Sequence, residues 1–214
     1  MSRGRQIAFD FESRPALTGD DFLIAPANRD AVAWLDRWPH WPSPALVIHG
    51  PPGSGKSHLV QVFMARTGAL PVTPALLAEA DMERALAAVS VCVADDADRG
   101  HDEEALLHLY NSLAEHGGRL LLTASAPPAR WGIGLADLAS RLGAAQVVAI
   151  GPPDDALIEA VLVKLFSDRQ LRARAGVVDY LIPRMERSLD AARRLVAAVD
   201  AEALATRRDI TLAL

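Results

Sequence analysis

The chain has 214 residues, half of them apolar, with 27 acidic against 22 basic side chains for a formal charge of −5. That size and apolar content support one large domain, or one domain with a small appendage, and the acidic balance argues against broad electrostatic binding to naked nucleic acid. The single cysteine excludes a disulfide framework, no apolar run approaches a membrane span, and the polar N-terminus lacks the apolar region of a signal peptide; the chain reads as cytoplasmic, with no membrane partner.

Residues 1–19 read as an arm. Within it Gln6, Phe9 and Phe11 fall at i, i+3 and i+5, although the whole chain has only 5 Phe. Fraying termini gain little from large apolar groups, so these rings either dock on a partner or fold back onto the parent domain. Leu46-Val47-Ile48 is a short apolar run that ends at Gly50 and predicts a buried strand. Ser57 to Ala65 places Leu59, Val60, Phe63 and Met64 at a helical period. Leu70 to Thr73 predicts a weaker strand, and Met82 to Ala88 a helix. Val91 to Ala94 predicts a buried strand that ends in acids. Asp102 is a helix cap, followed by an apolar face of Leu106, Leu109, Tyr110 and Leu113 and a stop at Gly117. Leu120 to Leu122 and Val147 to Ile150 are two more strands. Strands alternating with helices give an α/β class, with a parallel sheet covered on both faces across residues 20–152. Pro152-Pro153 reads as a hinge. Beyond it, residues 153–214 carry two helical stripes, Ile158-Val161-Leu162-Leu165-Phe166 and Leu189-Ala192-Leu195-Val196-Val199, with Ser188 as N-cap. They predict a small helical lid.

Gly50-Pro51-Pro52-Gly53-Ser54-Gly55-Lys56-Ser57, followed by His58, contains G-x-x-x-x-G-K-S between a predicted strand and helix. Glycines let the backbone wrap so that its N–H groups meet phosphate oxygens, and the following helix adds its dipole. Lys56 would neutralise the β- and γ-phosphates of ATP or ADP, and Ser57 would ligate Mg²⁺. After the Val91–Ala94 strand, Asp95 would support that Mg²⁺ and Asp96 would activate water. Read without the loop, the same acids are an acidic turn, with Asp98 and Asp102 to Glu104 close behind. No His/Cys cluster suggests a further metal. His58, Cys92 and the four tryptophans read as structural.

These residues together resemble the AAA+ P-loop NTPases, and within them the DnaA clade. Lys56-Ser57-His58-Leu59 is similar to that clade's Walker A ending and Asp95-Asp96 to its Walker B. Leu121 to Ser125 resembles the sensor I strand, and Asp137-Leu138-Ala139-Ser140-Arg141-Leu142 the motif that carries an arginine finger. The nearest likeness within the clade is to the Hda-type regulators of replication initiation, over nearly the whole chain. The resemblance implies an AAA+ core with a C-terminal helical lid. It implies a role for Arg141 in trans, at a nucleotide held by the DnaA initiator. It also implies that Gln6, Phe9 and Phe11 match the Q-x-x-L-x-F pattern that binds the DNA polymerase III beta sliding clamp, with Phe in place of Leu. DNA is then reached only indirectly, through the clamp, and a homodimer is a possible assembly.

The chain departs from the clade in two places. Ser125 stands where an acid is usual, though its hydroxyl can still orient water or phosphate as part of the nucleotide site, and the sensor II arginine slot is Asp190, with Arg193 and Arg194 one turn later, of which Arg193 is the candidate to reach the phosphates. An acid there repels phosphate, which sets this chain's own turnover apart from what Arg141 does elsewhere. Asn28-Arg29 lies where the clade contacts adenine, largely through backbone. No basic recognition helix follows the lid and no room precedes the P-loop for a further domain, which reads against an origin-binding initiator. The implied function is stimulation of ATP hydrolysis by DnaA, inactivating the initiator. The alternative is a stand-alone AAA+ ATPase, such as a helicase loader or remodeller. A nucleotide kinase is weaker still, because no acceptor pocket or basic lid is evident.

Overall fold

The computed structural model describes residues 13–14, 22–73, 86, 89–100, 102–171 and 176–206. Its frame is a five-stranded sheet, β4 (Leu70–Pro71), β5 (Val91–Ala94), β6 (Arg119–Ala124), β3 (Ala45–His49) and β7 (Gln146–Ala149), in that spatial order. Every pairing is parallel; Ile48 of β3 faces Thr123 on one side and Val148 on the other. The apolar runs are continuous because both faces are buried. Alternate residues then divide between two cores. Leu46, Ile48, Val91, Val93, Leu121 and Val148 pack under α1 (Arg29–Asp36) and α2 (Lys56–Thr67). Ala45, Val47, Cys92, Ala94, Leu120 and Leu122 pack under α3 (Glu103–Glu115) and α4 (Ala136–Gly143).

Each helix is set locally. The Asp102 carboxylate caps α3 by accepting from the N–H groups of Glu104 (2.9 Å) and Ala105 (3.1 Å). Leu106, Leu109, Tyr110 and Leu113 form its buried face, as their spacing predicts. Phe63 of α2 is 1% exposed, stacks on Trp41 at 5.9 Å and meets the edge of Trp38 at 6.1 Å. The tryptophans around residue 40 are therefore packing groups. Cys92 is fully buried in the middle of the sheet, and burial raises its thiol to about 11.

After Pro153 the chain builds a second, smaller core from α5 (Asp155–Asp168), α6 (Val177–Leu181) and α7 (Leu189–Thr206). Ile158, Leu162, Phe166, Ala192 and Val196 fill it. Asp154 caps α5 through the Leu157 N–H at 2.8 Å, and Ser188 accepts from the Ala191 N–H at 3.0 Å, the capping role its position predicts. Among the described residues no helix is long and apolar enough to cross a membrane.

Several boundaries differ from expectation. Ser13–Arg14 (β1) pairs antiparallel with Phe22–Leu23 (β2), so a short ribbon forms where only an arm is predicted. Two-residue strands are too short to show a period of two. The strand expected over Leu70 to Thr73 stops at Pro71, although the Val72 N–H still donates to the Val93 carbonyl at 2.7 Å. The helix after the glycine-rich loop begins one residue earlier and runs two further than its apolar stripe, to Thr67. Gln6, Phe9 and Phe11, and all of the Met82 to Ala88 helix except Leu86, lie outside the described residues.

Phe63→Ala is expected to lower the free energy of unfolding in urea by about 3–5 kcal/mol, because the ring leaves a cavity between two tryptophans and the sheet. Phe63→Leu, which refills most of that volume, is expected to cost less than half as much.

Candidate nucleotide site

The parallel sheet brings the carboxyl ends of its strands to one edge, and the site is built there. The loop Gly50 to Gly55 joins β3 to α2. A Cβ on Gly50 would lie 2.3 Å from the Ile150 carbonyl oxygen, so only hydrogen fits between the loop and the strand beside it. Gly53 has φ +71°, and a Cβ there would meet the Ser188 Cβ at 2.4 Å. The glycine spacing thus answers two physical demands, a left-handed backbone and close approach.

Lys56, 7% exposed, donates from Nζ to the Gly50 (2.9 Å) and Pro51 (3.1 Å) carbonyls. Burial pulls the ammonium below the usual lysine value, against the upward pull of the Asp96, Asp95 and Asp98 carboxylates. Such a group favours an arriving anion. The Ser54 hydroxyl is buried without a hydrogen-bond partner, a polar atom that a phosphate oxygen would satisfy. Ser57 is exposed at the first turn of α2. The loop therefore fits ATP or ADP: Lys56 and the loop N–H groups would hold phosphate, and the Ser57 hydroxyl would hold a magnesium ion with the phosphates as its other protein-independent ligands.

The acids stand beside it. Asp95 accepts a short hydrogen bond from the Thr123 hydroxyl, and that same oxygen accepts the Asp96 N–H at 3.0 Å. Asp96 is left-handed at φ 51° and half-buried, with Arg99 at 4.0 Å from its carboxylate. Asp tolerates this region better than most residues, and non-glycine residues held there recur at functional positions. Ser125 donates both its N–H (2.9 Å) and its hydroxyl to Asp98. Burial tends to raise the Asp98 carboxyl, but these bonds and Arg99 outweigh it and the net shift is downward. The Ser125 hydroxyl is thus committed to Asp98.

The lid closes the other side. The Leu189 N–H donates to the Gly53 carbonyl at 2.7 Å, and Leu189, Leu157 and Ala25 share a small core between lid and front loop. A cavity of about 160 Å³ opens beside this contact, lined by Phe22, Asn28, His58, Gln61, Leu157 and Arg193 among others. Its walls are mixed: Phe22, Leu23, Leu157, Val161, Leu165 and Leu189 form an apolar part against which a flat base could lie, and polar and charged side chains form the rest. Asn28 is 4% exposed and spends its side chain on its own loop: Oδ1 accepts from the Ala25 N–H and Nδ2 donates to the Leu23 carbonyl. It shapes the wall. His58 stacks on Phe22 at 5.6 Å and is likewise a wall. Asp190 pairs with Arg193 at 3.2 Å, and Arg194 pairs with Glu186 at 3.5 Å.

Arg141 belongs to α4, which follows β6 and its loop. It is half-buried, with its guanidinium 5.6 Å from the centre of the Tyr110 ring and its Nε without a partner. No carboxylate among the described residues pairs with it; Arg66, Arg187, Arg193 and Arg194 each meet an acid, while Arg37 over Trp34 at 4.4 Å and Arg184 over Tyr180 at 3.9 Å rest on rings as Arg141 does.

No family model matches the chain. It is 27% identical over 229 aligned positions to the chromosomal replication initiator protein DnaA of Thermomicrobium roseum, covering 94% of this chain and 48% of that protein. The sequence likeness is to DnaA. This chain spans about half the length of that curated relative. Domain III of the Thermotoga maritima initiator DnaA superposes with a TM-score of 0.77 at 16% identity, covering 88% of this chain and 89% of that one. AMPPCP-bound DnaA from Aquifex aeolicus superposes with a TM-score of 0.68 at 17% identity, over 85% of this chain and 64% of that one. The fold is therefore that of an AAA+ module, an α/β core with a parallel sheet.

Sequence reasoning located the loop, its lysine and the two acids, but missed Thr123 as their organiser and Asp98 as the partner of Ser125. One signal was present: Thr123 is the lone hydroxyl in a strand that is apolar at Leu120, Leu121, Leu122 and Ala124. The lid contact at Gly53 has no local signal at all.

Gly53→Ala is expected to weaken binding of a fluorescent ADP analogue at least about tenfold, about 1.4 kcal/mol, because the new methyl strikes Ser188. Gly68 shares φ +70° but has nothing within 4 Å; Gly68→Ala is expected to lower stability and leave nucleotide affinity unchanged.

Proposed function

We propose that this chain is a regulator of the DnaA initiator of the Hda type, which supplies Arg141 to an ATP molecule held by DnaA. The observation that carries this reading is the state of Arg141: a guanidinium seated on an aromatic ring, half-buried, and neutralised by no acid among the described residues. The distant likeness to DnaA and the AAA+ fold support it, because such modules can place an arginine from one subunit at another's nucleotide. Hydrolysis spreads negative charge over the γ-phosphoryl oxygens, and an arginine delivered there is worth about 10³–10⁵ in rate. DnaA–ATP becomes DnaA–ADP, and initiation is switched off.

The arm motif Gln6, Phe9 and Phe11 would tether the chain to a DNA polymerase III beta sliding clamp already loaded on DNA, so that DNA is met through the clamp. An extended segment can lay two rings into a groove and an amide into a polar niche. The chain's own site would hold ADP or ATP with Mg²⁺ as a ligand that sets the lid against the loop, through Gly53 and Leu189. Asp190, standing where a lid arginine is expected and paired with Arg193, favours a weak intrinsic turnover.

The test mixes the chain with ATP-loaded DnaA and DNA-loaded clamp and follows phosphate release. Wild type is expected to accelerate hydrolysis, and Arg141→Ala to lose at least about a hundredfold of that acceleration. Equal rates with the two proteins would remove the assignment. The rival, a stand-alone AAA+ ATPase, predicts instead a substantial rate with no DnaA present, abolished by Asp96→Asn. Loss of clamp binding in the Gln6→Ala, Phe9→Ala double variant would separate the regulator from that rival.

A further inference from the structure

We propose that Glu103 is a positioning residue for Arg141, acting through the helix that carries the arginine; the inference rests on the finger reading above. Glu103 is the first residue of α3. Its carboxylate oxygens accept from two consecutive backbone N–H groups, Gly134 at 3.1 Å and Leu135 at 2.7 Å. Leu135 is the N-cap residue of α4 and offers no side-chain cap of its own. Helix starts leave N–H groups without intrahelical partners, and a carboxylate there gains from both charge-assisted bonds and the helix dipole. The cap that α4 lacks locally is therefore delivered from another helix, 31 and 32 residues away in sequence.

Seven residues along α3, and so on the same face two turns later, Tyr110 meets the guanidinium of Arg141. One helix thus holds the other at both ends: Glu103 fixes where α4 starts, and Tyr110 supports the side chain in its last turn. The connection from β6 to α4 is pinned as well. Ser125 is bound to Asp98, and Trp131 donates from Nε1 to the Ala126 carbonyl at 2.7 Å. Of these ties, only Glu103 grips the start of the helix itself. Without it the Gly134 and Leu135 N–H groups lose their acceptor, α4 slides over Tyr110, and the guanidinium moves from its place. A displacement of about 1 Å at a reacting centre can cost about a hundredfold in rate.

The experiment uses the full chain with ATP-loaded DnaA and DNA-loaded clamp, and fits both the maximal stimulated rate and the half-saturating concentration. Glu103→Ala is expected to lower the maximal rate about tenfold and to leave the half-saturating concentration within about twofold, since docking is intact and only the arginine is misplaced. Glu103→Gln keeps one acceptor oxygen and is expected to fall between. Tyr110→Phe, which keeps the ring, is expected to match wild type, and Tyr110→Leu to lose rate. Amide hydrogen exchange on each variant gives a second readout: Gly134 and Leu135 should exchange faster in Glu103→Ala, while the β6 amides keep their protection. An unchanged maximal rate in Glu103→Ala overturns the proposal, as does a loss confined to the half-saturating concentration, which would assign the residue to docking. If wild type and Arg141→Ala stimulate equally, the finger reading fails and the positioning role falls with it. The exchange data would then identify the Glu103 contact as a purely architectural clasp.

Discussion

The one-way direction of the main sheet is the constraint from which the rest follows. Because β3, β5, β6 and β7 are parallel, the chain leaves all four at the same edge. His49 delivers the glycine-rich loop there, Ala94 delivers the acids, Ala124 delivers Ser125, and Ala149 leads to the lid hinge. A single buried ladder thus gathers segments more than a hundred residues apart. Their polar ends are satisfied by one another, Thr123 with Asp95 and Asp98 with Ser125, while the apolar runs behind them supply the core.

Electrostatics at that edge is asymmetric. Lys56 is nearly out of water, bound only to carbonyl oxygens, and held below its usual pKa by burial. His49 is also held low, first by burial and then by Arg130 and Lys56. Lys56 is thus the positive, poorly hydrated point of this corner, facing three carboxylates across the loop, while His49 is disfavoured from adding charge beside it. A phosphate group with a divalent cation would reconcile the two sides, since the anion meets the lysine and the cation meets the acids. The lid contributes no charge of its own through its contact at Gly53, which is a backbone bond and a methylene packing. The lid arginines on either side of that contact, Arg187, Arg193 and Arg194, are already engaged with acids of the lid.

How much of this was legible depends on the range over which a signal acts. The buried strands announced themselves as apolar runs at Leu46–Ile48, Val91–Ala94 and Leu120–Leu122, and the Asp102 and Ser188 caps as polar residues just before apolar periods. The glycine-rich loop was readable because a phosphate-binding turn demands several residue types at fixed spacing. The β1–β2 ribbon was not, since two residues a side carry no period. Asp98, Glu103 and Thr123 were not assigned either. Their roles come from hydrogen bonds across 27 to 32 residues of sequence, and nothing local distinguishes Glu103 from Glu104, its exposed neighbour. Propensity and spacing name the elements; which acid of a pair reaches which amide is decided by how helices lie on the sheet.

The sealed position of Cys92 between β4 and β6 has a practical corollary. The chain's lone sulfhydryl is fully enclosed and its ionisation is suppressed, and thiolate, rather than thiol, is what reacts with maleimides and methanethiosulfonates. The native protein is in effect a blank canvas for site-directed spectroscopy. A reporter cysteine placed on the lid or beside α4 would take a nitroxide or dye without first stripping the natural one. Distances between lid and core could then be followed in solution with and without added ADP or ATP.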